Sequence, residues 1–343
     1  MTFFFVRCIM YKKVEGEMMK CRECRICNGV ACAGEIPGLG GKDTGRSFIR
    51  NVEMLQKIRI NMDVICEEKP VTSETEILGM KLAMPVMIAP IAGINNNYGA
   101  DMSDQDYVEE TLKAAKETGI RAFTGDGIHM DTMFLDPAKA IDRFGGKGIV
   151  TMKPWVKEGI DARIEGLKNL QFEAVAMDVD AAGLPLLRAG KTPVENKDCN
   201  RLSYVREKLG KPFIVKGVMT VHAALEAKKA GASAIVVSNH GGRVLDDCLS
   251  TVEVLPEIRK AVGKDMTVLM DGGIRSGMDV FKAIALGADG VLVGRPFALA
   301  CVKGRSEGLV SLIEKYQDQL LSTMRMTGCH TIHEITCDKV ICK

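Results

Sequence analysis

The sequence predicts a closed (β/α)8 barrel, also called a TIM barrel, in which eight parallel strands are enclosed by helices. Eight short apolar segments suited to buried strands recur between about Met84 and Arg295, and each is followed by a plausible helix. Residues 213–238 and 268–294 form an internal repeat of strand, glycine turn, amphipathic helix, Gly-Ala and strand. Repeated units of this kind require parallel strands with crossover helices, and eight of them favour a closed barrel over an open doubly wound sheet.

The eight predicted strands are short apolar runs bounded by turn residues or charged residues. In chain order they are MPVMIAP (84–90), RAFTG (121–125), GIVTMKP (148–154), AVAMDVD (174–180), PFIVKG (212–217), AIVVSN (234–239), TVLMDGG (267–273) and GVLVGR (290–295). We therefore predict two parts of the chain, a cysteine-rich extension over 1–45 and a barrel domain over 46–343.

Composition narrows the class of protein. A chain of 343 residues that is 46% hydrophobic can bury a substantial core. The 46 basic and 44 acidic residues leave a net charge of only +2, without a long basic run, so we do not expect a nucleic-acid partner. The apolar run near the start is broken by Arg7, and no stretch approaches membrane-spanning length. We expect a cytoplasmic protein, and a homo-oligomer is compatible with the sequence.

Charged and glycine residues stand where five of the predicted strands end. In strand order they are Asp178 and Asp180, Lys216, His240 and Arg243, Asp271 and Arg275, and Gly294 and Arg295. Taken singly, each could be an ordinary loop or rim residue. In a barrel the carboxyl ends of the strands meet at one mouth, where active sites form and where the last two loops bind phosphate. We therefore predict one cavity that holds an anionic ligand.

Four motifs resemble the family of FMN-dependent 2-hydroxy-acid oxidases and dehydrogenases, which includes glycolate oxidase and lactate oxidase. They are FIVKGVMT (213–220), SNHGGRVLD (238–246), DGGIRSGMDVFKAIALGADGVLVGRP (271–296) and MTGCHTIHEI (326–335). The likeness is dense from about Pro212 to Ile335, and upstream it is carried by MPVMIAPIAG and by the Val-Asp pair that ends the fourth strand. The family is a TIM barrel with FMN at its mouth, which agrees with the predicted fold.

The resemblance implies oxidation of an L-2-hydroxy acid to the 2-oxo acid. His240 would be the catalytic base, a role that suits an imidazole because its pKa lies near working pH. Arg243 would bind the substrate carboxylate through its planar guanidinium. Asp180 would orient the histidine, and the Gly-Gly pair between His240 and Arg243 would let backbone and substrate approach closely.

The resemblance also implies an FMN site. Lys216 would lie by the pyrimidine edge of the flavin, where a fixed positive charge favours its anionic reduced form. The remaining residues would contact the ring, the ribityl chain or the phosphate: Pro90, Ile91, Ala92, Asp178, Ser238, Asp271, Gly272, Gly273, Arg275, Gly294 and Arg295.

The chain departs from the family pattern in its substrate region. The family has one tyrosine near the N-terminus and one after the third strand, whereas this chain has a cysteine-rich stretch and Lys153 there. We expect Lys153 to favour a substrate with a second anionic or strongly polar group, because a cation in a closing pocket needs a partner. Asp178 stands where the family has a flavin-contacting threonine. Arg188 is a candidate for the family's second carboxylate-binding arginine.

Two other functions stay open from the sequence alone. A flavin-dependent isomerase like type 2 isopentenyl diphosphate isomerase could share the FMN phosphate site, although it would not call for His240 and Arg243 at this spacing. An FMN-binding electron-relay protein without catalysis is the other alternative, because the family tyrosines are missing. The electron acceptor, and so the choice between oxidase and dehydrogenase, also stays open.

The N-terminal part contains four closely spaced cysteines, Cys21, Cys24, Cys27 and Cys32. Their C-x2-C-x2-C-x4-C spacing nearly matches a bacterial ferredoxin run, but its last gap is one residue longer and no proline follows. Two thiolates at C-x2-C spacing can bind one metal, so an iron-sulfur cluster, a zinc ion and plain reduced cysteines are the alternatives. A cluster near the flavin would favour a dehydrogenase.

Overall fold

The computed structural model describes residues 21, 24–35, 39–188 and 193–342. Its centre is a barrel of eight parallel strands, each within one of the predicted segments except that the fifth strand extends one residue further, to Val218. In chain order they are β1 (Val86–Ile88), β2 (Arg121–Ala122), β3 (Ile149–Met152), β4 (Ala174–Asp178), β5 (Phe213–Val218), β6 (Ala234–Val237), β7 (Thr267–Met270) and β8 (Gly290–Val293). The predicted fold is confirmed.

The strands follow one another around the barrel in chain order. Hydrogen bonding joins them in the order β2-β1-β8-β7-β6-β5-β4-β3. A parallel bridge between Phe123 and Ile149 then connects β2 to β3. Because all strands are parallel, their carboxyl ends lie at one mouth and carry the loops that form the site.

Helices follow every strand and cover the outside of the barrel. The α-helices are Arg46–Lys57 (α1), Ile94–Tyr98 (α2), Asp104–Thr118 (α3), Asp136–Arg143 (α4), Lys157–Leu167 (α5), Pro185–Arg188 (α6), Cys199–Leu209 (α7), Val221–Lys229 (α8), Thr251–Val262 (α9), Gly277–Ala285 (α10) and Arg295–Arg325 (α11). Short 3-10 turns occupy Val179–Gly183, His240–Gly242, Ile332–Glu334 and Cys337–Lys339, and a π-helical turn occupies Asp131–Leu135. None of the helices in these described ranges has the length and apolar character needed to cross a bilayer.

Two apolar clusters explain why the strands are apolar on both faces. Ile214, Val236 and Leu269 belong to the cluster that fills the barrel interior. Their neighbours Val215 and Ile235 belong to the cluster between strands and helices. Because successive side chains of a strand point to opposite faces, both alternating sets are buried.

A β-hairpin, which we did not predict from the sequence, packs against the barrel interior. It consists of Thr75–Ile77 and Met80–Leu82. Ile77, Met80 and Leu82 join the interior cluster, and Ile77 lies against the first residue of β8, Gly290. The hairpin therefore covers the amino end of the barrel, opposite the mouth. A further antiparallel pair, Arg59–Ile60 with Val340–Ile341, ties the C-terminus to the segment after α1.

Candidate active site

A cavity of about 110 Å³, open to solvent, lies at the carboxyl ends of the strands. Most of its lining comes from the ends of β1, β5, β6, β7 and β8, and the rest from α1 and α2: Phe48, Asn51, Ala89, Pro90, Ile91, Tyr98, Lys216, His240, Gly241, Arg243, Asp271, Gly272, Gly273, Ile274, Arg275, Leu292, Val293, Gly294 and Arg295.

His240 is held by a carboxylate behind it. Its Nδ1 lies 2.9 Å from Oδ1 of Asp180, and both side chains are only 10% exposed. Burial lowers the pKa of His240 below the ordinary value of 6.5, while Asp180 raises it and the ammonium groups of Lys153 and Lys216 lower it further. The imidazole is therefore neutral near pH 7. With Nδ1 engaged by Asp180, the other ring nitrogen is the atom that can accept a proton.

The loop that carries His240 has an unusual backbone conformation. His240, Gly241 and Gly242 all have positive φ, at 56°, 64° and 74°. A side chain at Gly242 would place its Cβ 2.6 Å from the backbone nitrogen of Phe48, whereas at Gly241 nothing lies within 4 Å. The expected close approach of backbone and substrate is therefore possible at Gly241, while Gly242 serves the packing of the loop against α1.

Two side-chain amides join this loop to α1. Nδ2 of Asn51 donates to Oδ1 of Asn239 at 2.8 Å, and Nδ2 of Asn239 donates back to Oδ1 of Asn51 at 3.0 Å. Both residues are buried. Oδ1 of Asn239 also accepts from the backbone N–H of Gly242 at 3.2 Å. We did not predict Asn51 from the sequence, because only the packing of α1 on the mouth makes it part of the site.

Arg243 shares its cavity with a tyrosine that we did not predict from the sequence. Nη2 of Arg243 donates to Oδ1 of Asn97 at 3.2 Å. Burial lowers the pKa of Arg243, and the nearby Tyr98 raises it. Tyr98 follows β1 and lines the same cavity. The chain thus lacks the two tyrosines of the family pattern but places a phenol from a different segment, the end of α2, in the same cavity as the arginine.

Lys153 has a partner inside the protein. Its Nζ lies 2.7 Å from Oδ2 of Asp178, while Nζ of Lys216 lies 3.1 Å from Oδ1 of Asp178 and 3.3 Å from Oδ2 of Asp271. Burial alone would raise the pKa of Asp178, but the two ammonium groups hold it well below its ordinary value.

These contacts change two predictions. Lys153 does not line the cavity, and Asp178 supplies the partner that we expected from the substrate, so the reason for a second anionic substrate group is removed. Asp178 does not line the cavity either, because it lies behind Lys216. Its carboxylate neutralises part of the charge of Lys216. Lys216 itself does line the cavity. Burial lowers the pKa of Lys216, but the carboxylates of Asp178 and Asp271 raise it by more, so the ammonium group stays charged.

Two arginines form the end of the cavity that we predicted to bind phosphate. The guanidinium carbons of Arg275 and Arg295 lie 5.6 Å and 4.7 Å from the ring centre of Phe48, on α1. Gly272 and Gly273 line the cavity beside them with positive φ. Two guanidinium groups beside glycine backbone fit a phosphate dianion.

The residues present therefore fit FMN. Lys216, Arg243, Arg275 and Arg295 outnumber the one carboxylate of the lining, Asp271. One oxygen of Asp271, Oδ1, is buried without a hydrogen-bond partner in the described residues. An anionic, hydrogen-bonding ligand would satisfy both features, since buried polar groups and excess buried charge are costly when unpaired.

Of the other predicted site residues, some line the cavity and some do not. Pro90 and Ile91 line it, but Ala92 does not. Ser238 is fully buried below the His240 loop, where its Oγ accepts from the backbone N–H of His240 at 3.1 Å and from Nζ of Lys216 at 3.2 Å. Arg188 is exposed and does not line the cavity.

The glycine-rich segment before α1 holds the same loop from outside. The backbone N–H of Lys42 donates to the carbonyl of Gly242 at 2.8 Å. One carboxylate, Asp246, accepts from the backbone N–H groups of Thr44 at 2.8 Å and Ser47 at 3.0 Å. Burial raises the pKa of Asp246, but hydrogen bonds from the Thr44 hydroxyl and from these two backbone N–H groups lower it to about 2. The residues from 39 to 47 therefore brace the loop that carries His240 and Arg243.

The metal prediction for the four N-terminal cysteines is not decided by their positions. Cys24 is exposed, Cys21 and Cys27 are half-buried and Cys32 is buried. Among the described residues, the group with three metal-ligating atoms within 4.8 Å of one another is Asp178, Asp180 and His240. The ammonium groups on Asp178 oppose a cation there. The cysteine site stays a prediction, as does the division of the chain at residue 45.

Comparison with known proteins agrees with this geometry. The sequence profile of the family called FMN-dependent dehydrogenase matches residues 39–197 and 186–342. An L-lactate dehydrogenase of Serratia proteamaculans is 32% identical, over 88% of this chain and 92% of that protein. An L-lactate oxidase of Lactobacillus jensenii is 30% identical, over 77% and 70%. A solved mandelate oxidase variant with a monooxide FMN adduct is 28% identical, over 88% and 93%, with a TM-score of 0.72.

Proposed function

Because the chain belongs to the FMN-dependent dehydrogenase family, we propose that it oxidises an L-2-hydroxy acid to the 2-oxo acid with FMN as its cofactor. The observation that carries this proposal is the arrangement of His240, Asp180 and Arg243 at one cavity. A neutral base backed by a carboxylate and a cation for a carboxylate are what the reaction needs from the protein. The relatives named for lactate and mandelate support a small 2-hydroxy acid as substrate.

The side chains divide the work on the substrate. Arg243 binds the carboxylate, and Tyr98 beside it adds a hydroxyl donor. With the carboxylate fixed, the 2-hydroxyl group is placed toward His240, which accepts its proton. Asp180 then stabilises the imidazolium that forms, because its carboxylate lies 2.9 Å from Nδ1. When bound, FMN supplies the acceptor for the two electrons that leave the substrate carbon.

The cofactor is held by residues on the other side of the cavity. Arg275, Arg295 and the backbone at Gly272 and Gly273 would hold the phosphate, and Pro90 and Ile91 would line the ring. Lys216 keeps a positive charge at the cavity wall through its two carboxylate partners. A fixed cation there stabilises negative charge on a bound ring system.

The two alternative functions account for less of the site. An isomerase acting on a diphosphate would not use a His240 and Asp180 pair beside a carboxylate-binding Arg243. An electron relay without catalysis would have no use for the buried imidazole and its carboxylate. We also propose a cytoplasmic location, which is supported by the eleven free thiols among the described residues, since reduced cysteines are typical of that compartment.

Anaerobic bleaching of the flavin by substrate tests the proposal. Protein purified with FMN is mixed without oxygen with L-2-hydroxy acids, their D enantiomers and an isoprenoid diphosphate. At least one L-2-hydroxy acid should bleach the flavin absorbance. His240→Ala should keep FMN but be reduced about 10²- to 10⁴-fold more slowly, because general-base help is lost. Bleaching by no hydroxy acid, or equal rates in His240→Ala, would overturn the proposal.

A further inference from the structure

The cysteine segment, residues 21–32 apart from residues 22–23, packs against the phosphate end of the cavity. Nε of Arg275 donates to the carbonyl of Cys27 at 2.8 Å. Gly29 lies so close to Phe48 that a Cβ at this glycine would be 2.1 Å from Cδ1 of the ring. Phe48 and Arg275 both line the cavity. One layer of side chains therefore separates the cysteine segment from the FMN site.

The four cysteines of this segment are free thiols. Cysteine sulfur is the ligand that both a zinc site and an iron-sulfur cluster take from a protein. The four residues therefore supply the number of ligands that either kind of metal site needs.

The sequence spacing and the location of the segment favour one of the two kinds of metal site. The C-x2-C-x2-C-x4-C spacing nearly matches a ferredoxin run. A zinc ion has no redox chemistry, whereas an iron-sulfur cluster carries electrons. A position one layer of side chains from the FMN site therefore favours the cluster.

We propose that the four cysteines of this segment bind an iron-sulfur cluster next to the phosphate end of the FMN site, as the exit for electrons. This inference rests on the proposed function and makes the enzyme a dehydrogenase. It explains why a thiol-rich segment is packed on Phe48 and Arg275 instead of lying away from the mouth.

Each oxidation of the substrate releases two electrons and two protons. It breaks the C–H bond of the hydroxyl carbon and the O–H bond, and it forms the second C–O bond of the ketone. The cluster transfers one electron at a time. Each turnover therefore passes two single electrons to a one-electron carrier protein outside the chain, and the two protons go to solvent.

Metal analysis of anaerobically purified, FMN-loaded protein tests the site. The wild type should contain iron and acid-labile sulfide in equal amounts, about two to four of each per chain. Cys24→Ser/Cys27→Ser should lose both while keeping FMN. Cys66→Ser/Cys337→Ser is the matched control, because both of these cysteines are exposed and lie outside the segment, and it should keep the iron. Stoichiometric zinc, metal of neither kind, or iron retained in the first variant would overturn the proposal.

Electron paramagnetic resonance tests the path. Adding the substrate to the wild type without oxygen should produce the signal of a reduced cluster, and the Cys24→Ser/Cys27→Ser variant should show flavin bleaching without that signal. A cluster that dithionite reduces but the substrate does not, although the flavin bleaches, would refute the electron path. If no hydroxy acid bleaches the flavin, the proposed function fails, while the iron and sulfide contents still decide whether the cluster exists.

Discussion

Nδ1 of His240 lies 2.9 Å from Oδ1 of Asp180, although the two residues are 60 positions apart in the chain. The 3-10 turns that follow β4 and β6 bring them together at the mouth. The contact gives the imidazole a defined orientation and a charge partner, and it determines how the activity should depend on pH.

Asp180→Asn should slow flavin reduction on the order of 10²-fold, because an amide does not stabilise the imidazolium. The base acts in its neutral form, so activity is lost as pH falls through the pKa of His240. That pKa lies below 6.5 because of burial, and Asp180 is the group that raises it. The acidic limb of the rate profile should therefore move to lower pH in the variant.

Stopped-flow reduction without oxygen, between about pH 5 and 8, measures this shift. Asp161→Asn is the matched control, because Asp161 contacts Lys157 and Tyr204 away from the cavity. An acidic limb that moves to higher pH in Asp180→Asn would contradict the assigned role of the carboxylate.

Tyr98→Phe should lower kcat/KM for the hydroxy acid by about 10- to 100-fold, since a hydrogen bond to a charged group is lost. FMN retention should not change. Tyr204→Phe, whose hydroxyl contacts Asp161 and Lys157, serves as the control and should behave as the wild type. Steady-state kinetics with a dye acceptor measure both. Equal kcat/KM in Tyr98→Phe and the wild type would remove Tyr98 from the substrate site.

Arg275→Ala should weaken FMN binding by about 10- to 100-fold, because it removes a cation from the predicted phosphate site. Equilibrium dialysis of the apoprotein with FMN measures the dissociation constant. Arg325→Ala, at the exposed end of α11, should bind FMN as the wild type does. A raised substrate KM with FMN fully bound would instead place Arg275 at the substrate.

Lys153→Met should lower the free energy of unfolding by about 3–5 kcal/mol, because it breaks a buried ion pair and leaves Asp178 with one partner. Lys153→Tyr/Asp178→Thr restores the residue types of the family pattern and should lose less than the single substitution. Urea unfolding of the double variant, of Lys153→Tyr and of Asp178→Thr gives the coupling. Additive effects would show that the two side chains act independently.

Asp246→Asn should lower the free energy of unfolding at pH 7 by about 1–2 kcal/mol. The folded pKa of Asp246, about 2, is below its ordinary value of 3.8. The contribution of the Asp246 carboxylate to the free energy of unfolding is therefore present above about pH 4 and is lost as pH falls toward 2. The free energies of unfolding of the variant and the wild type should converge near pH 2. Asp247→Asn, an exposed neighbour, is the control. A difference that persists unchanged at pH 2 would contradict this account.

Each predicted strand overlaps an observed strand, and the charged residues lie at the predicted ends. This succeeded because each strand is a short apolar run with a turn signal after it, and because parallel strands place every carboxyl end at one mouth. The sequence alone therefore determined the barrel, the FMN-dependent family and the common location of His240, Arg243 and Lys216.

Only the tertiary structure decided which side chains meet across that mouth. Lys153 pairs with Asp178 instead of facing the cavity, Tyr98 at the end of α2 lines the same cavity as Arg243, and the cysteine segment lies on Arg275. These contacts join residues that are far apart in the chain, so no local pattern encodes them. They depend on how loops of different lengths pack, and on which partner best compensates the cost of burying a charge.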